Sequence, residues 1–375
     1  MKKLFYFAAA AVVLAACAKN EVIPVNSGES QEITFNVAPK TKAGTQTFNT
    51  KWNFKAYAYY YAGGNASATP QLYINNAVVS YQTITTETGD KSVWKSNTPY
   101  YWPKNGSLTF FAWTSLKETV GAPNPYTVSY VDNVTCSNTT GIKVENYEVD
   151  SEDNKNVDLL VADIKADQKA NTTTEKDGKY YNDGVPTLFR HKLSYVIFNV
   201  VTDQDYSATK KFELKSITFK EIGYKGTYQQ KPAASEGWDG ANDKWDVAKD
   251  KKEQTYYTAP EASTGTGTTG VEITKDQKTL TSDATQNYFL PQEFSNTAKL
   301  VITYEVTTTE GKSTSVDHVE KEIVINPAEG SQMFESWLMG KKYTVTLTFK
   351  LDEILWDPAV EDWTTEDGTV SSDVK

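Results

Sequence analysis

Apolar and polar residues alternate in short segments along most of the chain. Ile33, Phe35 and Val37 are separated by single polar residues, and a set of four near the C-terminus repeats with the same spacing. The later set is Tyr343, Val345, Leu347 and Phe349. Because successive side chains of a β-strand point to opposite faces, each set lies on one face. Both segments are therefore predicted strands that face a core.

Other segments strengthen the prediction of strands. Residues 193–201 are apolar almost throughout, which is typical of a strand covered on both faces, and residues 54–59 and 108–113 are also strand-like. No long segment with helical periodicity competes with them. Aromatic residues make up 13% of the chain, and they pack well on a pleated surface. We predict an all-β fold of the sandwich or barrel type.

A polar stretch divides the chain near its middle. Residues 165–184 contain the run Asn-Thr-Thr-Thr-Glu-Lys-Asp-Gly, which is typical of a long loop or of a junction between domains. The length of 375 residues suits two domains. We therefore predict an N-terminal β-sandwich over residues 31–187 and a C-terminal β-sandwich over residues 188–375.

The first residues have the pattern of an export signal. Lys2 and Lys3 precede an apolar run over residues 4–16, which is too short for a membrane-spanning helix and suits a signal peptide. The run ends in Leu-Ala-Ala followed by Cys17, which resembles a bacterial lipobox. We predict a signal peptide (1–16), lipidation of Cys17, a polar tether (17–30) and anchoring to the outer membrane. A plain secretory signal with a chance cysteine is the alternative.

Composition and charge argue against several functions. The formal net charge of −10 argues against a nucleic-acid partner. The chain has one arginine, Arg190, and two histidines, His191 and His318. No nucleophile motif accompanies these histidines, so we predict that the protein is not an enzyme. His191 is interpreted as a structural hydrogen-bonding residue, and His318 as an exposed residue on a strand or turn.

Motifs for cofactors and metals are weak. Residues 265–270 match GxGxxG, but a strand-like segment follows where the nucleotide-binding motif requires a helix, so we interpret them as a flexible loop. An acidic group is interpreted as solvated loop charge rather than as a calcium site, and no cofactor or metal is predicted. Paired carboxylates for glycoside hydrolysis remain an open alternative, with none singled out. The acidic group is Asp150, Glu152 and Asp153.

Two clusters of aromatic residues allow two interpretations. The rings could stack on sugars, which would make the protein a surface glycan-binding lipoprotein, or they could fill the core and rim of a sandwich. The core interpretation is favoured. Three coplanar exposed rings that include Trp102 or Trp238 would favour sugar binding. The clusters are Tyr57, Tyr59, Tyr60 and Tyr61, and Tyr100, Tyr101 and Trp102.

Several short motifs, in a shared order over almost the whole length, resemble the fimbrillin family of pilus lipoproteins. The lipobox and tether come first, and Ile-Thr-Phe-Asn-Val at 33–37 and Lys-Thr-Lys-Ala at 40–43 follow. The remaining motifs are Tyr-Tyr-Trp-Pro at 100–103, Val-Asp-Leu-Leu-Val-Ala at 157–162, Leu-Phe-Arg-His-Lys-Leu-Ser at 188–194, Tyr-Phe-Leu-Pro-Gln at 288–292, Trp337 with Gly340 and Tyr343, and Val-Glu-Asp-Trp at 360–363.

The resemblance implies two tandem transthyretin-like β-sandwich domains and assembly by strand exchange. In the family, a protease removes an N-terminal strand from an outer-membrane lipoprotein, and a strand of a neighbouring subunit fills the groove. The removable strand would carry Ile33, Phe35 and Val37. Cleavage would follow Lys40 or Lys42, because no arginine lies there. The donor would be the C-terminal region, with Tyr343, Val345, Leu347 and Phe349.

One departure from the family pattern concerns the role of the subunit. Residues 364–375 are polar and would make a poor donor strand, and an unprocessed chain would suit an anchor or accessory subunit better than a shaft subunit. We predict a structural or adhesive subunit of a cell-surface pilus. Its partners would be other pilus subunits, the outer membrane through the lipid, and a ligand on a host or bacterial surface.

Overall fold

The computed structural model describes residues 32–39, 48–62, 69–86, 89–119, 122, 126–149, 157–170, 184–230, 243–259, 270–280, 287–326 and 335–363. Over these residues the chain forms β-strands and no helix, so the predicted all-β fold is confirmed. Consequently, this part of the chain contains no helix that is long and apolar enough to span a membrane.

The strands follow one another from Thr34 to Asp362. In chain order they are β1 (Thr34–Pro39), β2 (Asn53–Tyr61), β3 (Gln71–Thr86), β4 (Gly89–Ser96), β5 (Ser107–Glu118), β6 (Tyr126–Val128), β7 (Val134–Ser137), β8 (Gly141–Glu148), β9 (Val157–Ala162), β10 (Lys165–Gln168), β11 (Val185–His191), β12 (Ser194–Thr202), β13 (Lys210–Gly223), β14 (Lys225–Gln229), β15 (Lys244–Val247), β16 (Lys251–Thr258), β17 (Val271–Ile273), β18 (Lys278–Leu280), β19 (Tyr288–Phe289), β20 (Gln292–Glu293), β21 (Lys299–Glu310), β22 (Ser313–Val324), β23 (Ser336–Trp337), β24 (Lys341–Phe349) and β25 (Ile354–Asp362).

Seven strands of the N-terminal half form a sheet whose pairing closes on itself, and we call it the N-terminal ring. Its order is β5-β2-β3-β4-β1-β11-β9, and β9 pairs back with β5. Short strands β6 and β10 also pair with β5. The interior of the ring is rich in aromatic side chains, among them Phe35, Phe54 and Phe110. Closure removes the unpaired edges that an open sheet would present.

Strand β5 explains why part of the sequence is apolar at almost every position. Phe110 and Ala112 face the interior of the ring, whereas Phe111 and Trp113 face a second core on its outer side. A strand covered on both faces needs apolar residues at both parities. The near-continuous apolar run of 108–113 therefore reflects two cores that share one strand.

The second core lies under a small sheet of order β15-β14-β8-β7, which we call the bridging sheet. Strands β7 and β8 precede the polar stretch in the sequence, and β14 and β15 follow it. Tyr228 of β14 pairs with Val144 of β8, and both are fully buried in this core. The two halves of the chain therefore share a sheet and a core.

Two further sheets pack together in the C-terminal half and form the C-terminal sandwich. One has the order β18-β12-β24-β25, with β19 on β12, and the other has the order β16-β13-β21-β22, with β17 on β13. Phe198, Phe212 and Phe219 are buried between them. A two-stranded sheet of β20 and β23 places Trp337 against the same core.

Two predictions about domain organisation have different outcomes. The interpretation of residues 165–184 as loop is wrong at its start, because β10 pairs there with Phe110 and Leu108 of β5 through an irregular register. The division at residue 187 and the transthyretin-like description stay predictions. Strand β11 spans residue 187 and pairs with β1 and β9 of the ring.

Candidate functional site

Strand β1 lies between two strands of the N-terminal ring, and this position defines the candidate functional site. On one side it runs parallel to β11, with Phe35 opposite Val185 and Val37 opposite Thr187. On the other side it pairs antiparallel with β4, where Phe35 is opposite Trp94. The pairing with β11 spans five residues, and the pairing with β4 spans two. Strand β1 therefore contributes backbone hydrogen bonds to two neighbours.

The side chains of Ile33, just before β1, and of Phe35 and Val37 within it fill an apolar slot inside the ring. Ile33 is 1% exposed, Phe35 is 4% exposed and Val37 is half-buried. The Phe35 ring packs edge-on against Phe54 and Phe110, with ring centroids 5.5 and 5.9 Å apart. Burial of an apolar side chain of this size contributes about 1.5–3 kcal/mol. The three residues predicted to form a removable strand therefore face one core.

The entry to β1 is held by polar contacts. The backbone N–H of Ile33 donates to the carbonyl oxygen of Tyr100 at 2.7 Å. Lys95 Nζ donates to both carboxylate oxygens of Glu32 at 3.0 Å, and both side chains are partly exposed. An exposed ion pair of this kind contributes about 0–1 kcal/mol. The apolar slot, rather than the ion pair, therefore contributes most to holding the strand.

Gly184 shows how closely the chain before β11 approaches β1. Its φ of +97° is unfavourable for residues with a side chain, and a Cβ placed there would lie 2.8 Å from the carbonyl carbon of Phe35. Glycine is therefore required both by the backbone conformation and by the contact. The fit of β1 against β11 depends on this residue.

The remaining predicted N-terminal residues fall outside the described part of the chain. These are Cys17, predicted to be lipidated, and Lys40 and Lys42, predicted as processing sites. The last described residue before Lys40 is Pro39, which is opposite Phe189 in the ladder with β11. The predicted cleavage sites therefore follow β1 directly in the sequence.

The predicted donor residues lie in the core of the C-terminal sandwich. Tyr343, Val345, Leu347 and Phe349 are 0–3% exposed. Their strand, β24, pairs in parallel with β12 and antiparallel with β25. The expectation that the four residues face one core is confirmed. Their role as donors stays a prediction, and it would require β24 to leave both neighbours.

The aromatic clusters face the cores and do not form an exposed platform. Trp102 is 2% exposed, and Tyr57, Tyr60 and Tyr61 are at most 9% exposed. Tyr59, Tyr100 and Tyr101 are half-buried, and Trp238 falls outside the described residues. The arrangement that would favour sugar stacking is therefore not formed by the described members of these clusters.

The two histidines lie on strands of different sheets. His191 ends β11, where its Nδ1 lies 2.7 Å from Asp158 Oδ2 and its ring stacks on Trp363 with centroids 3.7 Å apart. His318 is exposed on β22, with its Nδ1 3.1 Å from Glu305 Oε1. Sequence reasoning placed His191 as a structural residue but missed its partners, which are distant in the sequence. Neither histidine meets a nucleophile in these contacts.

The described residues contain no group of three or more His, Cys, Asp or Glu side chains arranged to hold a metal ion. Asp150, Glu152, Asp153 and most of the glycine-rich segment 265–270 lie outside these residues. The contacts of β1 given above are backbone pairing and apolar packing.

Comparisons with known proteins concern the family and the fold of the chain. The sequence profile of the fimbrillin-like family matches residues 41–363. No curated protein sequence matches the chain. A fimbrial protein from Bacteroides vulgatus is similar in structure, with 18% identity, a TM-score of 0.59, and coverage of 89% of this chain and 99% of that chain. At this level of identity the likeness shows the fold alone.

Two other solved structures are similar over a comparable length. A protein from Bacteroides uniformis with a proposed role in cell adhesion has 16% identity, a TM-score of 0.45, and coverage of 89% of this chain and 100% of that chain. The fimbrial anchor protein Mfa2 from Porphyromonas gingivalis has 10% identity, a TM-score of 0.28, and coverage of 89% and 98%. Because the family profile spans most of the sequence, this chain belongs to the fimbrillin-like family.

Proposed function

We propose that this protein is a structural or adhesive subunit of a cell-surface fimbrium and that it assembles by strand exchange at the position of β1. Family membership supports the coarser statement, a pilus subunit or adhesin. The position of β1 in the N-terminal ring supports the more specific statement, which is assembly by strand exchange. This N-terminal strand completes a closed ring, and the predicted cleavage sites Lys40 and Lys42 follow it.

Loss of β1 would leave a defined acceptor groove. The facing edges of β4 and β11 would lose their hydrogen-bond partners, and the interior around Phe54 and Phe110 would open. Exposed strand edges pair readily with another strand, and pockets for alternate side chains give specificity. The incoming strand must therefore be extended and must carry apolar residues at every second position.

The C-terminal region of a neighbouring subunit is the proposed donor. Tyr343, Val345, Leu347 and Phe349 of β24 have the required spacing, and they resemble Ile33, Phe35 and Val37 in size and polarity. Donation by β24 would open the core of its own sandwich, because the strand would leave both β12 and β25. Assembly would then couple the release of β24 from its own sandwich to its insertion into the ring of the neighbouring subunit.

Export as a lipoprotein is part of the same proposal. The signal-like residues 1–16 and Cys17 would deliver the precursor to the outer membrane. Several acyl chains together hold a protein firmly at a membrane, since one chain alone binds reversibly. Cleavage after Lys40 or Lys42 would then remove the lipid together with β1, and the subunit would pass from the membrane to the fimbrium.

The proposal is tested by the N-terminus of the polymerised protein. Surface appendages are sheared from cells and mass spectrometry identifies the first residue, which we expect to follow Lys40 or Lys42. The double variant Lys40→Gln/Lys42→Gln should keep β1 and accumulate as lipidated monomer. Lys51→Gln, at an exposed position beyond the predicted sites, is the matched control and should assemble normally.

Two outcomes would contradict the proposal. Absence of the polypeptide from every surface appendage would exclude the fimbrial role. Polymerised chains that retain β1 and the lipid on Cys17 would exclude strand exchange at this position but would leave the fimbrial role standing.

A further inference from the structure

The junction between β11 and β12 contains a buried lysine paired with a buried aspartate. Lys192 Nζ lies 2.6 Å from Asp243 Oδ2, and the two side chains are 2% and 0% exposed. Lys192 lies between strands of the ring and the C-terminal sandwich, and Asp243 precedes β15 of the bridging sheet. The amine therefore touches a carboxyl group from a distant part of the sequence.

Aromatic residues surround this pair. The Tyr228 hydroxyl donates to Asp243 Oδ2 at 2.5 Å, and the Tyr228 ring lies 5.9 Å from Lys192 Nζ. Trp245 Nε1 donates to the backbone carbonyl oxygen of Lys192 at 2.5 Å. The other carboxyl oxygen, Asp243 Oδ1, is buried and has no hydrogen-bond partner among the described residues. A full carboxylate charge at this place is therefore only partly compensated.

Burial favours the uncharged forms of both groups. Desolvation lowers the pKa of Lys192 below its usual value, although Asp243 opposes this effect. Desolvation likewise raises the pKa of Asp243, and Lys192 and Tyr228 oppose it. Transfer of one proton from the ammonium to the carboxylate converts the ion pair into a neutral amine and a carboxylic acid. The neutral amine is a nucleophile, and the carboxylic acid is the electrophile that it can attack.

We propose that Lys192 and Asp243 form an intramolecular amide bond. The lone pair of Lys192 Nζ attacks Asp243 Cγ, which is bonded to the oxygen that Nζ already contacts. The hydrogen bond from Tyr228 stabilises the charge that develops on Asp243 Oδ2, while Oδ1 carries the proton taken from the ammonium group. A second proton passes from the nitrogen to Oδ1, the bond between Cγ and Oδ1 breaks, and one water molecule is released. The reaction is a condensation, so it needs no oxidant, reductant or further reactant.

The held geometry is what makes this reaction feasible. An amine and a carboxyl group fixed in contact react as one molecule, without the entropy loss of a bimolecular encounter. The bond would join β15, which ends the bridging sheet in the order given above, to the junction of the ring and the sandwich. A covalent bond would then resist tension along the chain at the junction between the two halves of the protein.

The exposed ion pairs provide an internal comparison. Lys225 Nζ lies 3.1 Å from Glu148 Oε1 and joins β14 to β8 of the bridging sheet. The two side chains are 34% and 29% exposed. Water reaches such a pair, whereas the condensation needs an amine and a carboxyl group held in contact. We therefore expect a bond at Lys192 and none at Lys225.

The test is a peptide map of the full-length folded protein. Because trypsin does not cleave after an acylated lysine, the bond predicts a branched peptide that joins residues 191–210 to residues 226–244, lighter by one water than the sum of the two. Lys192→Arg should abolish the branched peptide and restore the missing mass. Lys225→Arg is the matched control and should retain the bond.

Recovery of residues 226–244 as an unbranched peptide from folded wild-type protein would overturn the proposal. This readout needs no variant, so it holds even where Lys192→Arg fails to fold. It is also independent of the fimbrial role, since the bond forms within one chain.

Discussion

The N-terminal ring and the C-terminal sandwich differ in whether the edge strands of their sheets are paired. In the ring, β1 lies between β4 and β11 and closes the sheet. In the sandwich, β22 pairs only with β21 and β25 pairs only with β24, as far as the described residues show. The ring therefore hides its edges by closure, whereas the sandwich leaves two long strands at its margin.

The marginal strands of the sandwich carry residues that discourage pairing with another chain. Pro358 lies within β25 and has no backbone N–H to donate. Lys321 of β22 is opposite the core residue Ile302, and its Nζ donates to the backbone carbonyl oxygen of Asp352. Prolines and inward-pointing charges are common protections of edge strands. The two regions therefore limit unwanted pairing in different ways, the ring by closure and the sandwich margin by proline and an inward-pointing lysine.

The largest difference between the two regions should follow truncation of their apolar side chains. Phe35→Ala removes a buried ring from β1 and should reduce the free energy of unfolding by about 3–5 kcal/mol. Val316→Ala on β22, where the side chain is 48% exposed, should change it by less than about 0.5 kcal/mol. Urea denaturation gives both values. Hydrogen exchange of β4 and β11 should rise in Phe35→Ala alone, and equal effects of the two substitutions would break the comparison.

Substitution of one glycine in each region compares how tightly the backbone is packed in the ring and at the sandwich margin. Gly184→Ala creates both an unfavourable φ and a clash with β1, and should reduce stability by about 2–4 kcal/mol. Gly311 in the β21–β22 turn also has a positive φ of +62°, but nothing lies within 4 Å of a Cβ there. Gly311→Ala should therefore reduce stability by only about 1 kcal/mol. Thermal denaturation measures the difference, and a Gly184→Ala protein as stable as Gly311→Ala would argue against the tight fit of β1.

A smaller effect should appear where the ring contacts the sandwich. Glu118, at the end of β5, accepts hydrogen bonds from Tyr195 at 3.4 Å and Tyr288 at 3.2 Å. Burial raises its pKa above the usual 4.5, so the stability that the protonated form contributes at low pH is lost as pH rises through the folded-state pKa. Glu118→Gln imitates the protonated form at every pH. Its stability relative to wild type should therefore increase as pH rises above 4.5, by an amount on the order of 1 kcal/mol.

Urea denaturation at a series of pH values should give a rising difference in stability between Glu118→Gln and wild type. A flat difference would show that Glu118 does not couple protonation to folding.

The smallest change in stability, but a visible change in association, should follow Pro358→Thr. The new backbone N–H lies on the margin of the sandwich, so the free energy of unfolding should change by less than about 0.5 kcal/mol. Restoring a donor to an edge strand should increase self-association, which analytical ultracentrifugation measures over a range of concentrations. Ala359→Thr adds a similar side chain but keeps the proline, and it should remain unassociated. Equal association of the two variants would show that Pro358 does not protect this edge.

The faces of the strands could be predicted from the sequence because alternation is a local signal. Phe35 and Leu347 both occupy core positions for this reason. The parallel pairing of β1 with β11 could not be predicted in the same way, since no short turn joins two parallel strands. The bridging sheet was also missed, because β8 and β14 are separated by the whole of β9 to β13.

The charged pairs of the interior were missed for a different reason. Lys192, Asp243 and Asp158 belong to residue types that usually lie on the surface. Ionisable side chains are almost never fully buried unless they are paired. Their partners lie on other strands, so spacing along the chain carries no sign of the pairing. The neighbouring Arg190 and His191 stand out in the sequence only because their residue types are rare in this chain.

The parallel ladder between β1 and β11 has a consequence for the newly made chain. Phe35 is synthesised early, whereas Val185, its neighbour in the ladder, follows only after the rest of the ring. Contacts between residues so distant in sequence form slowly, and exposed strands are prone to aggregation meanwhile. During synthesis, β1 must therefore wait for its parallel partner until β11 is made, so a chaperone that shields the strand in this interval would raise the yield of native protein.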